Sequence, residues 1–139
     1  MNKSNKNEWE NAFAEKFQDA FAETFAENVV LEAVILNSPI KGRDNVQKVM
    51  KEASKIYEIL TFTRGTTADL QEYIEWEAQT FSGVQLKGVT ILTRNENGAL
   101  AHIAIHHRPL GSALQFSTLL GERLRGHIDP SYFYSEKGE

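Results

Sequence analysis

From Trp9 onward a large apolar residue returns at every fourth position: Trp9, Phe13, Phe17, Phe21 and Phe25. At ~100° per residue each step of four overshoots a full turn by ~40°, so the stripe would wrap ~160° of one helix. Two shorter helices breaking near Lys16–Gln18, both lying on one sheet, bury the same residues more economically. Asn28 closes the helical pattern, and Val29 to Leu36 is rich in β-branched residues, a strand. Asn37-Ser38-Pro39 and Lys41-Gly42 mark a loop. Val46, Val49, Met50, Ala53, Ile56 and Tyr57 then form one face of an amphipathic helix, with Lys48, Lys51, Glu52 and Lys55 on the other.

The remainder is patterned for strands. Ile59–Thr63 is the first, with a loop over 65–69. From Glu72 to Phe81, Ile74, Trp76 and Ala78 alternate with Tyr73, Glu75, Glu77 and Gln79, giving one apolar and one wet face. Ser82-Gly83 turns the chain into a strand over 84–94, and Asn97-Gly98 is a hairpin signal leading into 99–107. Pro109 is placed to open a helix whose stripe is Leu110, Ala113, Leu114, Ser117, Leu120 and Leu124, with Gly126 as its stop. The order helix, strand, helix, four hairpin-joined strands, helix predicts an α+β fold. A curved antiparallel sheet of four or five strands wraps the N-terminal helices as a cone whose mouth can admit a ligand. The organisation is a flexible N-terminus over 1–8, a single domain over 9–126, and a C-terminal tail over 127–139 that is loose or packed on a partner.

Composition narrows the function. The chain has 139 residues and no Cys, which excludes disulfides, thiol catalysis and Cys-ligated metals. A net charge of −4, with 15 Lys and Arg scattered among 19 Asp and Glu, leaves no footprint for nucleic acid. No apolar run reaches the ~20 residues that span a bilayer. The polar start MNKSNKNEWE is no signal peptide, so the expected compartment is the cytoplasm with no membrane partner. Glycine-rich phosphate loops and nucleophile elbows are absent, so no cofactor is expected.

The stretch Leu36-Asn37-Ser38-Pro39-Ile40-Lys41-Gly42-Arg43-Asp44-Asn45-Val46 resembles the strand–loop–helix of the nuclear transport factor 2-like superfamily. Leu86-Lys87-Gly88-Val89-Thr90-Ile91-Leu92, Asn97-Gly98 and His107-Arg108-Pro109-Leu110 resemble its SnoaL-like group. The resemblance implies the cone-shaped, cystatin-like architecture also seen in ketosteroid isomerase. It places the isomerase's general base at Ala33 and its second acid at Thr90, and offers only Phe13, Phe17 and Phe21 for its oxyanion tyrosine. Isomerase chemistry by that route is therefore not expected. By the same alignment, and by alternation, the interior is lined by Leu31, Ala33, Ile35, Ile74, Trp76, Ala78, Leu86, Thr90, Leu92, Ile103, Ile105 and His107.

Candidate ligand-binding residues are Ala33, Tyr57, Trp76, Thr90, Ile103 and Ile105. His107 is the candidate catalytic acid or base; a histidine hydrogen-bonded to backbone at a strand end is the plainer reading. A metal is not expected: His102 and His106 share a face but stand ~13 Å apart along a strand, and His106 and His107 face opposite ways. Glu32, Glu75 and Glu77 fall on the outward face with apolar Tyr73, Val89, Ile91 and Leu100, where a homodimer contact is expected. Three functions stay open: a cofactor-free enzyme of isomerase or cyclase type acting on a small hydrophobic compound, a non-catalytic carrier or sensor of one, or an interaction module with a filled cone.

Overall fold

The aromatic stripe does break where its geometry strains. In the computed structural model, which describes residues 8–135 apart from the side chains of 8 and 19–21, helix α1 (Glu8–Ala14) ends at Lys16 and Phe17. Both are left-handed, with φ 61° and 50°. Lys16 N–H donates to Phe13 O and Phe17 N–H to Ala12 O, a closure that normally uses glycine. A 3-10 segment (Asp19–Thr24) follows. The flexibility expected of the N-terminus concerns residues outside those described, save Glu8, and the place of Phe21 in the stripe lies outside the described side chains.

Phe25 belongs to a strand, not to the helical stripe. Strand β1 runs Phe25–Ala33, starting four residues before the expected Val29 and ending before Leu36. Phe25 pairs with Leu100, and the Arg43 guanidinium donates to Phe25 O at 2.8 and 3.2 Å. A register slip between Phe25 and Val30 leaves Glu27 and Asn28 exposed together, which hid the start of the strand from any test of alternation. β2 (Ile40–Lys41) and α2 (Arg43–Ile56) follow, the latter burying the face expected of it.

β3 is also longer than its pattern. It spans Tyr57–Ala68 and pairs along its length with β4 (Gln71–Thr80), so the expected loop over 65–69 is mostly strand. As an edge strand its residues 63–68 are exposed on both faces, and without a buried face there is no alternation to read. β5 (Gln85–Arg94), β6 (Leu100–Arg108) and α3 (Leu110–Arg123) complete the order. Gly83 and Gly98 take the left-handed turn positions between strands, at φ 96° and 85°.

The fold is α+β with a curved sheet, as expected, but the sheet has six strands in the order β2-β1-β6-β5-β4-β3 and is mixed. β1 runs parallel to β6, because a long excursion through α2 and β3–β5 separates them; the other pairings are antiparallel. Bulges between Tyr57 and Ile59, Phe62 and Arg64, and Thr93 and Arg94 bend the sheet around the helices. The last of these resets the parity of β6, so Leu100, expected outside, is 1% exposed.

The C-terminal segment packs on its own chain as far as residue 135. Ile128 and Phe133 are buried, and Asn37 Nδ2 donates to Ser131 O and Phe133 O. Ser117 Oγ accepts from Tyr134 N–H at 2.9 Å while donating to Ile35 O at 2.7 Å. Of Tyr132, Phe133 and Tyr134 it is Phe133 that is buried, and its carbonyl is held by Asn37, 96 residues away in sequence. Among the described residues no helix is long and apolar enough to cross a membrane.

Candidate functional site

Two rows of side chains cross the inner face. Trp76, Gly88 and His107 stand opposite one another on β4, β5 and β6, and Ile74, Thr90 and Ile105 form the next row. Gly88 explains the arrangement. A Cβ there would lie 2.4 Å from Trp76 Cζ2 and 2.7 Å from Cε2, so only the missing side chain lets the indole lie across β5. From that position Trp76 Nε1 donates to Thr90 Oγ1 at 3.0 Å. The bond uses Thr90 as an acceptor and leaves its own hydroxyl hydrogen free to donate.

His107 closes the row. Its ring packs edge-on to Trp76 with centroids 5.5 Å apart and tilts against Phe116 of α3 at 5.8 Å. Phe116 in turn stacks on Tyr57 at 5.1 Å. His107 is 9% exposed, and its Nδ1 has no hydrogen-bond partner. Burial lowers its pKa to about 4 against a smaller opposing pull from the Ile105 backbone, with nearby His106 adding to the fall. At neutral pH the ring is uncharged, offering one donor and one acceptor. Burial likewise pushes the Tyr57 phenol well above its ordinary range.

These groups meet around a small internal cavity. Ala33, Tyr57, Trp76, Thr90, Ile105 and His107 all line it. Ile103, expected among them, does not: it is fully buried one row away, opposite Leu92 and Leu31. Among the described residues none that lines the cavity bears a charged side chain, and Ala33 and Thr90 stand where the resemblance put acids. The cavity encloses only about 30 Å³, room for a water molecule. Phe13, Tyr57, Leu60 and Phe62 divide it from a recess of about 390 Å³ beside α1, edged by Glu10, Lys16, Ser54 and Glu58.

Two contributors escaped the sequence reading. The buried stripe of α3 is Ala113, Phe116, Ser117, Leu120 and Leu124, while Leu110 is 72% exposed and Leu114 only half-buried. The 3-1-3-4 spacing of Ala113, Phe116, Ser117, Leu120 and Leu124 carries the signal for Phe116. Gly88 had no such signal, because its importance lies in a contact across strands. The other histidines keep to the outside: His102 Nε2 lies 2.9 Å from Glu32 Oε1, and His106 is exposed.

Comparison with solved structures places this geometry. A steroid delta-isomerase from Pseudomonas aeruginosa superposes with a TM-score of 0.78 over 86% of this chain and 88% of its own, at 16% identity. A nuclear transport factor 2-like protein of unknown function from Mesorhizobium loti matches with a TM-score of 0.65 over 73% of this chain and 85% of its own, at 15% identity. The chain has the nuclear transport factor 2-like fold. A de novo designed protein with a curved β-sheet shares that fold at a TM-score of 0.67 and 15% identity, covering 86% of this chain and 93% of its own. The fold therefore says nothing by itself about activity. No family model matches the sequence, and no curated protein does.

Proposed function

We propose that this chain is a binding protein for a small, neutral, largely apolar molecule, held in the cone with one polar group against His107 and Thr90. The observation that carries the reading is the uncharged lining: Ala33 and Thr90 in place of acids, with His107 and Tyr57 both neutral. Enolate chemistry of the isomerase type uses carboxyl groups as base and hydrogen-bonding acid, and Ala33 and Thr90 supply neither. Binding without isomerase-type turnover follows. A panel of neutral one- to four-ring compounds bearing a single carbonyl or hydroxyl (cyclohexenone, 2-naphthol, a 3-keto steroid) tests it by thermal shift. At tenfold excess over Kd a ligand adds about 1.4 kcal/mol, or roughly 4 °C in Tm for a domain of this size. That shift is expected to fall by more than half in Thr90→Val and in His107→Ala. Equal shifts in all three proteins would remove the polar anchor from the reading. Steady turnover of a panel member would favour the enzyme instead. The small free volume favours a second reading, a filled cone serving as an interaction module, and silence across the whole panel would select it.

A homodimer through the outer sheet face is part of the proposal. Val30, Tyr73, Val89, Ile91 and Ala104 form a half-buried band there, with Glu32 and His102 at its edge. Sedimentation is expected to give about twice the 15.7 kDa chain mass at micromolar concentration, and a monomer throughout would refute it.

A further inference from the structure

Phe13 occupies a slot built for a ring. Its neighbours along the stripe are closed off, Trp9 at 2% exposure and Phe17 at 0%, whereas Phe13 is half-buried. Aromatic rings surround it: Phe17 at 4.9 Å, Trp9 at 5.5 Å, Phe62 at 6.0 Å and Tyr57 at 6.1 Å. Phe13 also lines both the internal cavity and the outer recess, so its side chain is part of the wall between them.

The helix that carries it is short, and it is held mainly by the burial of Trp9 and Ala12. α1 has seven residues, too short to hold helical form without its packing. It joins the body through Lys16 and Phe17, both in a backbone conformation that L side chains disfavour. Beyond that point the chain is fixed: the Gln47 amide donates to Phe17 O and, at 3.2 Å, to Gln18 O. On the helix side, Lys16 Nζ donates to Ser54 O at 3.1 Å. The Lys16–Phe17 junction is therefore where a backbone rotation would swing α1, and Phe13 with it, relative to the fixed chain.

We propose that α1 is a displaceable plug and that the Phe13 ring stands in for the ring of a neutral, planar aromatic ligand, which takes its place between Tyr57 and Phe62. The inference rests on the cone being a small-molecule site. The ligand's chemistry follows from the walls: aromatic rings reward a flat ring, and a charge carried inward would meet no countercharge among the cavity-lining residues. A plugged site binds weakly in proportion to how rarely it opens, so removing the plug raises apparent affinity by the inverse of that fraction.

N-phenyl-1-naphthylamine, neutral and fluorescent in apolar surroundings, is the probe. With the full chain, Phe13→Ala is expected to bind it at least about tenfold more tightly than wild type, and Phe13→Leu by an intermediate factor. In wild type saturated with the probe, amide hydrogens of α1 are expected to exchange faster than in the free protein while those of α2 keep their protection. Equal affinity in wild type and Phe13→Leu, or α1 protection that holds or rises on binding, overturns the plug and leaves the small-molecule reading standing. Absence of binding by wild type and every folded variant overturns both. Circular dichroism establishes folding, and Phe13→Leu, which retains most of the buried bulk, serves should Phe13→Ala fail to fold.

Discussion

Gly88→Ala is expected to lower the melting temperature by roughly 10 °C, although it adds a single methyl group. The new Cβ would meet Trp76 Cζ2 at 2.4 Å, Trp76 Cε2 at 2.7 Å and the His106 carbonyl oxygen at 2.8 Å. Overpacking of this kind costs about 1–3 kcal/mol, and lifting the indole off β5 forfeits its hydrogen bond to Thr90, worth about 1 kcal/mol more. The sum is about 3 kcal/mol. Two of the three close contacts belong to Trp76, so the cost should not be additive with a change there. In a Trp76→Leu background Gly88→Ala is expected to cost about half as much, the backbone contact with His106 remaining. Thermal or urea unfolding of the four proteins in that cycle measures it. A Gly88→Ala protein as stable as wild type would mean that the indole does not lie across β5, and the row Trp76–Gly88–His107 would have to be redrawn.

Acidification should destabilise the protein through His107. Its folded-state pKa of about 4 lies below the ordinary 6.5, so the unfolded chain takes up the proton first as pH falls. The stability this neutral imidazole provides is whole above about pH 6.5 and drains away between 6.5 and 4, to a total of about 3 kcal/mol. His107→Gln cannot take up that proton, and its urea midpoint should fall less steeply over the same range. Other acid-titrating groups are common to both proteins, so the difference between the two curves reports on residue 107. Parallel curves from pH 7 to 4 would show that the ring is not held neutral by burial, and with it would go the uncharged lining on which the ligand reading depends.

Strict alternation made much of this legible. β4, β5 and the latter part of β6 each carry one buried and one wetter face, and from them the inward positions of Trp76, Thr90, Ile105 and His107 follow directly. The choice of His107 over His106 as the inward histidine follows in the same way. The broken aromatic stripe was legible from angular drift alone. What failed was whatever departs from a fixed period or depends on distant partners. Bulges hid the start of β1 and reversed Leu100; a doubly exposed edge made the end of β3 look like a loop. The docking of Phe133 and Tyr134 uses Asn37 and Ser117 respectively, and the meaning of Gly88 needs Trp76. The volume left in the cone is likewise a product of packing. A row of inward residues specifies a wall, while the space inside depends on whether Phe13, Phe62 and Phe116 lean in to fill it.

The parallel seat of β1 beside β6 has a consequence for how this chain is made. Leu31 pairs with Ile103, more than seventy residues later, and a closure of that span is slow because so much chain entropy must be spent before any contact forms. The β3–β4–β5 meander can form from neighbours, but the first strand leaves the ribosome long before its partner exists. Until β6 emerges, the backbone edge of β1 from Val30 to Ala33 has no parallel partner. The interval between those two events leaves that edge open to pairing with other chains.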